Sequence, residues 1–387
     1  MNSINKFKIS ALGSILFSIT AAQAVEIESK GYTFGFNGYV NTHLVYVNCD
    51  DNPDNVAGNA LLCSGDDATS VSNGYSPASF QFSAATQKNG MDIKAVLAYE
   101  PGNTDNSAFN GGGDNKAYRA FFTVGNNDIG TFKAGRDYGV FGIDIVLQDI
   151  SLGGVGAPAL VTTPLNTSLG GAGYGYIFAD RLSQLTYSFA KNGISGAIGV
   201  FQPLDPVTFG GNGFAGDSGS KTPGLHGKLR YDFDSGFVST TFLSQSVDSP
   251  LNDYKATGVD LTIVYNIGDT SVLASGFSAE GLGYYGLLID GSDSAANPRD
   301  SDGYFLQATH KWDNTKLGIN YGISNVELAP EDTAIQVKQQ SKITLGVYHT
   351  LWSMVTLSAE YSNINAENQE GGEIKNQAIS LGAALSF

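Results

Sequence analysis

Beyond its first 24 residues, this 387-residue chain has no run near the roughly 20 apolar residues that a spanning helix needs. A helical membrane protein is thereby excluded; a spanning β-barrel is not. Cysteine is scarce: Cys49 and Cys63 stand alone, with no histidine near them, which makes a poor metal site. The four histidines, His43, His226, His310 and His349, are scattered with no ligand spacing. Charged residues make up only 15% of the chain, and the 21 basic residues are outnumbered by 37 acidic ones. So acidic a chain repels nucleic acid and attracts cations.

What is abundant points one way. The 49 glycines and the 41 phenylalanines and tyrosines (22 and 19) favour twisted strands and tight turns over helices. The first 24 residues have a basic start at Lys6 and Lys8, an apolar middle from Ile9 to about Ile19, and an end at Ala22-Gln23-Ala24. That is the form of a cleaved secretory signal peptide, leaving residues 25–387 as one exported domain. Without Lys6 and Lys8 the count becomes 19 basic against 37 acidic, a net charge of −18. In an exported chain, two cysteines this close in sequence are expected to pair as a local disulfide, Cys49 with Cys63.

Alternation of period two recurs along the whole chain. In 32–46 the even positions Tyr32, Phe34, Phe36, Val40, Leu44 and Tyr46 are apolar, while the odd ones include Asn37, Asn41 and His43. Fifteen further segments read the same way, from 78–88, 91–100, 116–125 and 129–136 through to 354–364 and 376–387. Their connections alternate between tight turns, such as Lys88-Asn89-Gly90 and Lys191-Asn192-Gly193, and long polar loops. An even-stranded outer-membrane barrel sorts its loops in this way, and a soluble sandwich has no reason to. Sixteen tilted strands enclose an aqueous channel. The fold class predicted is therefore all-β, a transmembrane antiparallel barrel.

The stretch 129-IGTFKAGRDYGVFG-142 runs into Arg136 and then into some forty residues without a regular period or another basic residue until Arg181. So long a connection in a compact domain is expected to be functional. Residues 117–140, with Gly130, Thr131, Phe132, Gly135, Arg136, Tyr138, Gly139 and Val140, resemble the strands that precede the third loop of general diffusion porins of the enterobacterial type. The signal peptide, the sixteen strands and the terminal Phe387 resemble that family too.

The resemblance implies a homotrimer among outer-membrane lipids, each subunit with a water-filled pore, and a third loop folded into the lumen. It also implies a constriction where loop acids face wall cations. Asp149 falls at the family's first loop acid, with Asp144 near it; Arg136 matches the wall arginine, joined by Arg119, Lys133 and Arg181. The family's acidic loop tip is replaced by 151-SLGGVGAP-158, and two wall positions that are basic in the family read Tyr39 and Ser79. Strict alternation carries Arg136 outward with Phe132 and Ala134, at a cost of ~2–4 kcal/mol at mid-bilayer. A bulge at Gly135 is therefore expected to turn it inward.

The string 281-GLGYYG-286 matches a dinucleotide fingerprint, but no helix follows it. The acids Asp50, Asp51, Asp54, Asp66 and Asp67 form a solvated loop that bridges divalent cations only loosely. An outer-membrane esterase or protease needs a histidine placed beside a nucleophile, which the spacing does not provide. The expectation is a non-enzymatic channel without cofactor, passing small hydrophilic solutes and ions with mild cation preference. The alternative is a substrate-specific channel for sugar or another small solute.

Overall fold

The computed structural model describes residues 25–60, 62–102, 118–158, 167–208, 213–219 and 221–387. The leader 1–24, the start of the 116–125 segment and part of the long loop lie outside them. In chain order the strands are β1 (Val25–Ser29), β2 (Tyr32–Asn48), β3 (Ala68–Ser72), β4 (Ser79–Lys88), β5 (Met91–Tyr99), β6 (Tyr118–Asn126), β7 (Gly130–Tyr138), β8 (Arg181–Lys191) and β9 (Ile194–Phe201). They continue as β10 (Gly224–Phe233), β11 (Gly236–Asp248), β12 (Asp253–Ile267), β13 (Thr270–Glu280), β14 (Asp300–Trp312), β15 (Thr315–Val326), β16 (Val337–Leu351), β17 (Val355–Asn368) and β18 (Glu373–Ser386).

Neighbours pair antiparallel, β9 pairs β10, and β18 pairs β2 over Tyr39–Asn48, so the sheet closes on itself. Closure leaves no strand edge to face lipid unpaired, where each orphaned backbone group would cost several kcal/mol. Two strands share a lane with another. β4 pairs the lower half of β2, up to Tyr39, and β3 takes over beside His43–Val47. On the other flank β18 ends opposite Tyr39 and β1 resumes opposite Phe36. Eighteen segments thus form a sixteen-stranded barrel. At that junction Phe387 exchanges backbone hydrogen bonds of 2.8 and 3.0 Å with Gly38. A Cβ at Gly38 would lie 2.3 Å from the Phe387 ring, so only glycine lets the terminal ring settle there.

The alternation sorts the two faces. On β10, Leu225, Leu229 and Tyr231 are exposed, whereas His226 and Lys228 between them are buried or nearly so. Comparable rows of Leu, Ile, Val, Phe and Tyr run round the outside. Each such side chain gains ~1.5–3 kcal/mol by leaving water, so this surface belongs in a bilayer. The tight turns are built for their hairpins: Asn89 and Gly90 have φ of 51° and 76°, the type I′ pattern that matches strand twist. At the other end, the connections 249–252 and 369–372 are only four residues long, because β11, β12, β17 and β18 extend further than the alternation suggested.

Candidate functional site

Among the described residues the segment 139–180 carries the little helix there is: α1 (Ile143–Gln148), entered through Gly142 at φ 71°, and a 3-10 turn at Ile150–Gly153. Asp149 organises it. One carboxylate oxygen accepts the Ser151 N–H at 2.9 Å, and the other accepts the Gly171 N–H at 2.8 Å and the Tyr176 hydroxyl at 2.6 Å. A single side chain therefore joins the outgoing and returning arms. Asp149 is 3% exposed, so its carboxylate faces these donors and not solvent.

Polar side chains on the buried face of distant strands hold the same segment. The Gly142 N–H donates to Asp260 of β12 at 2.9 Å. Asp144 pairs with Lys228 at 2.5 Å and with Arg230 at 3.4 Å, both on β10. Gln307 of β14 accepts the Ile150 N–H and donates to the Gln148 carbonyl, both at 2.7 Å. Glu360 of β17 accepts the N–H groups of Val155 and Gly156 at 2.7 and 2.9 Å, and also takes the Tyr348 hydroxyl. Gly154 permits this approach, since a Cβ there would meet the Glu360 carboxylate at 2.1 Å.

A second cluster sits where β5 to β8 end. Glu100, fully buried, accepts from Arg119 at 2.7 Å and from Arg181, and Tyr138 lies within 3.2 Å of the same carboxylate. Asp137 takes Lys133, with Arg119 at 3.7 Å. The Arg181 guanidinium lies 4.7 Å from the Tyr138 ring centre. Each of the five cations Arg119, Lys133, Arg181, Lys228 and Arg230 has an acid within salt-bridge distance.

Of the residues expected at a constriction, Arg119, Lys133 and Arg181 meet in one cluster and Asp144 joins the β10 cations. Asp149 lies apart from these, bonded within its own segment and to Asn320 of β15. Arg136 departs from expectation. Gly135 does adopt φ 122°, but the register to β6 and β8 is unbroken, with Gly135 opposite Phe121 and Gln184. Arg136 therefore keeps the parity of Phe132, and its guanidinium lies 5.3 Å from the ring centre of outward-facing Tyr118. No bulge turns it, because a positive φ at glycine can be absorbed without inserting a residue. The sequence reading missed Glu100, Lys228, Arg230 and Glu360 as partners. The signal for each is a charged residue on inward parity, as with Glu360 between Ser358 and Ser362.

Above these clusters the long connections interlock. Cys49 and Cys63 are bridged, with Cα atoms 5.2 Å apart. Between them the Gly58 carbonyl accepts the hydroxyls of both Tyr284 and Tyr285, and the Ala60 carbonyl accepts Tyr174 at 3.2 Å. Burial pushes the Tyr174 and Tyr285 hydroxyls well above the usual phenol range. The glycine string 281–286 thus packs tyrosines rather than cradling a phosphate.

The description Gram-negative porin matches residues 11–369. No curated protein sequence matches the chain. Among solved structures, the outer-membrane channel DcaP of Acinetobacter baumannii is similar at 16% identity and a TM-score of 0.67, over 93% of this chain and 99% of that one. An anion-selective porin from Comamonas acidovorans is similar at 15% identity and 0.65, over 92% and 100%. OmpT of Vibrio cholerae, solved in a trimer form, is similar at 17% identity and 0.56, over 92% and 100%. At such identities the likeness concerns the fold.

Proposed function

The chain belongs to the Gram-negative porin family and is an outer-membrane channel, and on that premise we propose that it passes small hydrophilic solutes and ions by passive diffusion. The observation that carries this reading is the course of segment 139–180, tied in turn to β10, β12, β14, β15 and β17. A chain bonded to the buried faces of five strands crosses the lumen and narrows it. The passage is then left beside β4 to β8, with Arg119, Lys133 and Arg181 on its wall and Asp144 behind α1. Arg136 takes no part in that wall.

The ion preference is mild and for cations. The net charge of −18 favours cations at the mouth, and the wall cations, each paired with an acid, do little to reverse it. Asp149 contributes by holding the segment rather than by facing the solute. The family and the trimeric form of the OmpT neighbour support a homotrimer. Cleavage of a leader after Ala24 would leave β1 free to fill the lane that β18 leaves.

Liposome swelling tests the reading. Uptake of sugars should fall steeply with their size and rise linearly with concentration. Saturation by one sugar, with exclusion of others of equal size, would favour the substrate-specific channel instead.

A further inference from the structure

The register places two lysines of the wall in one row. Lys94 of β5 stands opposite Thr123 of β6, and Thr123 opposite Lys133 of β7. The row continues to Thr186 of β8, whose hydroxyl lies 3.0 Å from buried His226 of β10. Lys94 shares the inward parity of Val96, Ala98 and Glu100, all buried, while Leu97 and Tyr99 face outward. Strands are ~4.8 Å apart, so the two lysine Cα atoms are about 10 Å apart with one hydroxyl between them. Two long flexible ammonium arms at that separation can close on an ion a few ångströms across.

Glu26 and Glu28 of β1 are exposed, but Glu100 is fully buried and Asp144 and Asp149 are 3% exposed. By contrast the Lys133 side chain is 22% exposed and Lys94 is half-buried. The charged groups facing the row are Asp137, which holds Lys133, Glu26 and Arg119, whose fields reach Lys94, and Glu28, which the register places on the same row through Thr33 and Ala85. Lys94 takes part in no salt bridge among the described residues.

We infer that Lys94, Thr123 and Lys133 form a weak binding step for small oxyanions, carboxylate or phosphate, on the pore wall. The inference rests on the channel reading above and adds a solute class to it. The chemistry is that of N–H and O–H donors on an anionic oxygen, strengthened by charge. A step that must release its ion has to bind weakly, and two flexible lysines, one already shared with Asp137, satisfy that better than a rigid arginine fork. In a channel with mild cation preference, the row gives oxyanions a foothold that bulk charge denies them.

The test uses the full-length protein in planar bilayers, with potassium phosphate and potassium acetate gradients as probes. Lys94→Gln should lower the oxyanion-to-potassium permeability ratio about twofold, the factor that one unit charge exerts on an ion about 10 Å away in water. Lys94→Glu should lower it further, and Lys94→Gln combined with Lys133→Gln should exceed Lys94→Gln alone. A drop confined to phosphate assigns the row to phosphate; a drop with both probes assigns it to oxyanions in general. If conductance persists but Lys94→Gln and Lys94→Glu both leave the ratios at the unsubstituted value, the row binds no anion and the channel reading stands. If the unsubstituted protein does not conduct at all, both fail.

Discussion

Glu360 offers the sharpest perturbation of the proposed narrowing. One of its oxygens accepts the Val155 and Gly156 N–H groups at 2.7 and 2.9 Å and the Ser380 hydroxyl at 3.3 Å, while the other takes Tyr348. In Glu360→Gln a single oxygen remains. It can face the two backbone donors or the tyrosine, and whichever it abandons meets an NH₂ group. Hydrogen bonds to a charged group contribute ~1.5–3 kcal/mol each, so losing one side of the clamp costs about 2 kcal/mol. At 1.36 kcal/mol per decade, the population with the Val155 end released rises about 30-fold. Glu360 is 205 residues from Val155 and lies on a strand that is otherwise intact, so the barrel itself should assemble. Single-channel recording should show excess open-channel current noise and more frequent conductance steps in Glu360→Gln, with an unchanged heat-modifiable band confirming the fold. Noise and mean conductance equal to the unsubstituted protein would refute the clamp.

Arg136→Ala should leave ion selectivity unchanged while Arg119→Ala alters it, because the Arg136 guanidinium lies over Tyr118 and Arg119 bonds Glu100; reversal potentials decide this, and a shift with Arg136→Ala alone would overturn the assignment. The double substitution Tyr284→Phe, Tyr285→Phe should loosen the first loop, read as faster hydrogen exchange around Gly58, since both hydroxyls bond its carbonyl; equal exchange rates would exclude that latch. Burial would raise the Asp293 carboxyl, but the Asn297 amide and the N–H groups of Glu331, Asn297 and Ala295 outweigh it and hold it below the usual range. The stabilisation from a lowered carboxylate is present above its ordinary value of ~4 and lost as pH falls through the lowered one. Limited proteolysis should therefore cut the 281–299 connection faster at strongly acid pH than at neutral pH, and equal rates would refute the linkage. Reducing the Cys49–Cys63 bridge, which spans 14 residues, should cost the first loop up to ~3 kcal/mol of chain-entropy stabilisation and raise its protease sensitivity; unchanged sensitivity would argue against this role.

The barrel was legible in the sequence because period-two alternation is a local signal repeated sixteen times, and closure follows from the cost of open edges in lipid. The shared lanes were not legible: β1 and β3 are five residues each, too short to establish a period. Arg136 is instructive in the opposite direction. Alternation alone placed it outward, and the motif resemblance argued for an inward turn; the local pattern prevailed, because Gly135 accommodates its positive φ without a register shift. The ties that hold segment 139–180 were illegible for a further reason. The Asp144–Lys228 and Val155–Glu360 contacts join residues 84 and 205 positions apart, and nothing in a linear pattern pairs them. Asp149 was singled out by its position, but its bonds to Gly171 and Tyr176 make it a brace within the segment.

The most direct measurement of the central claim is single-channel conductance in symmetric KCl, comparing the unsubstituted protein with a variant in which residues 143–153 are replaced by a short Gly-Ser linker. A segment that crosses and narrows the lumen predicts a clearly larger conductance and weaker exclusion of large sugars for the variant, in a barrel that still migrates as folded. Identical conductance and identical exclusion in the two folded proteins would contradict it.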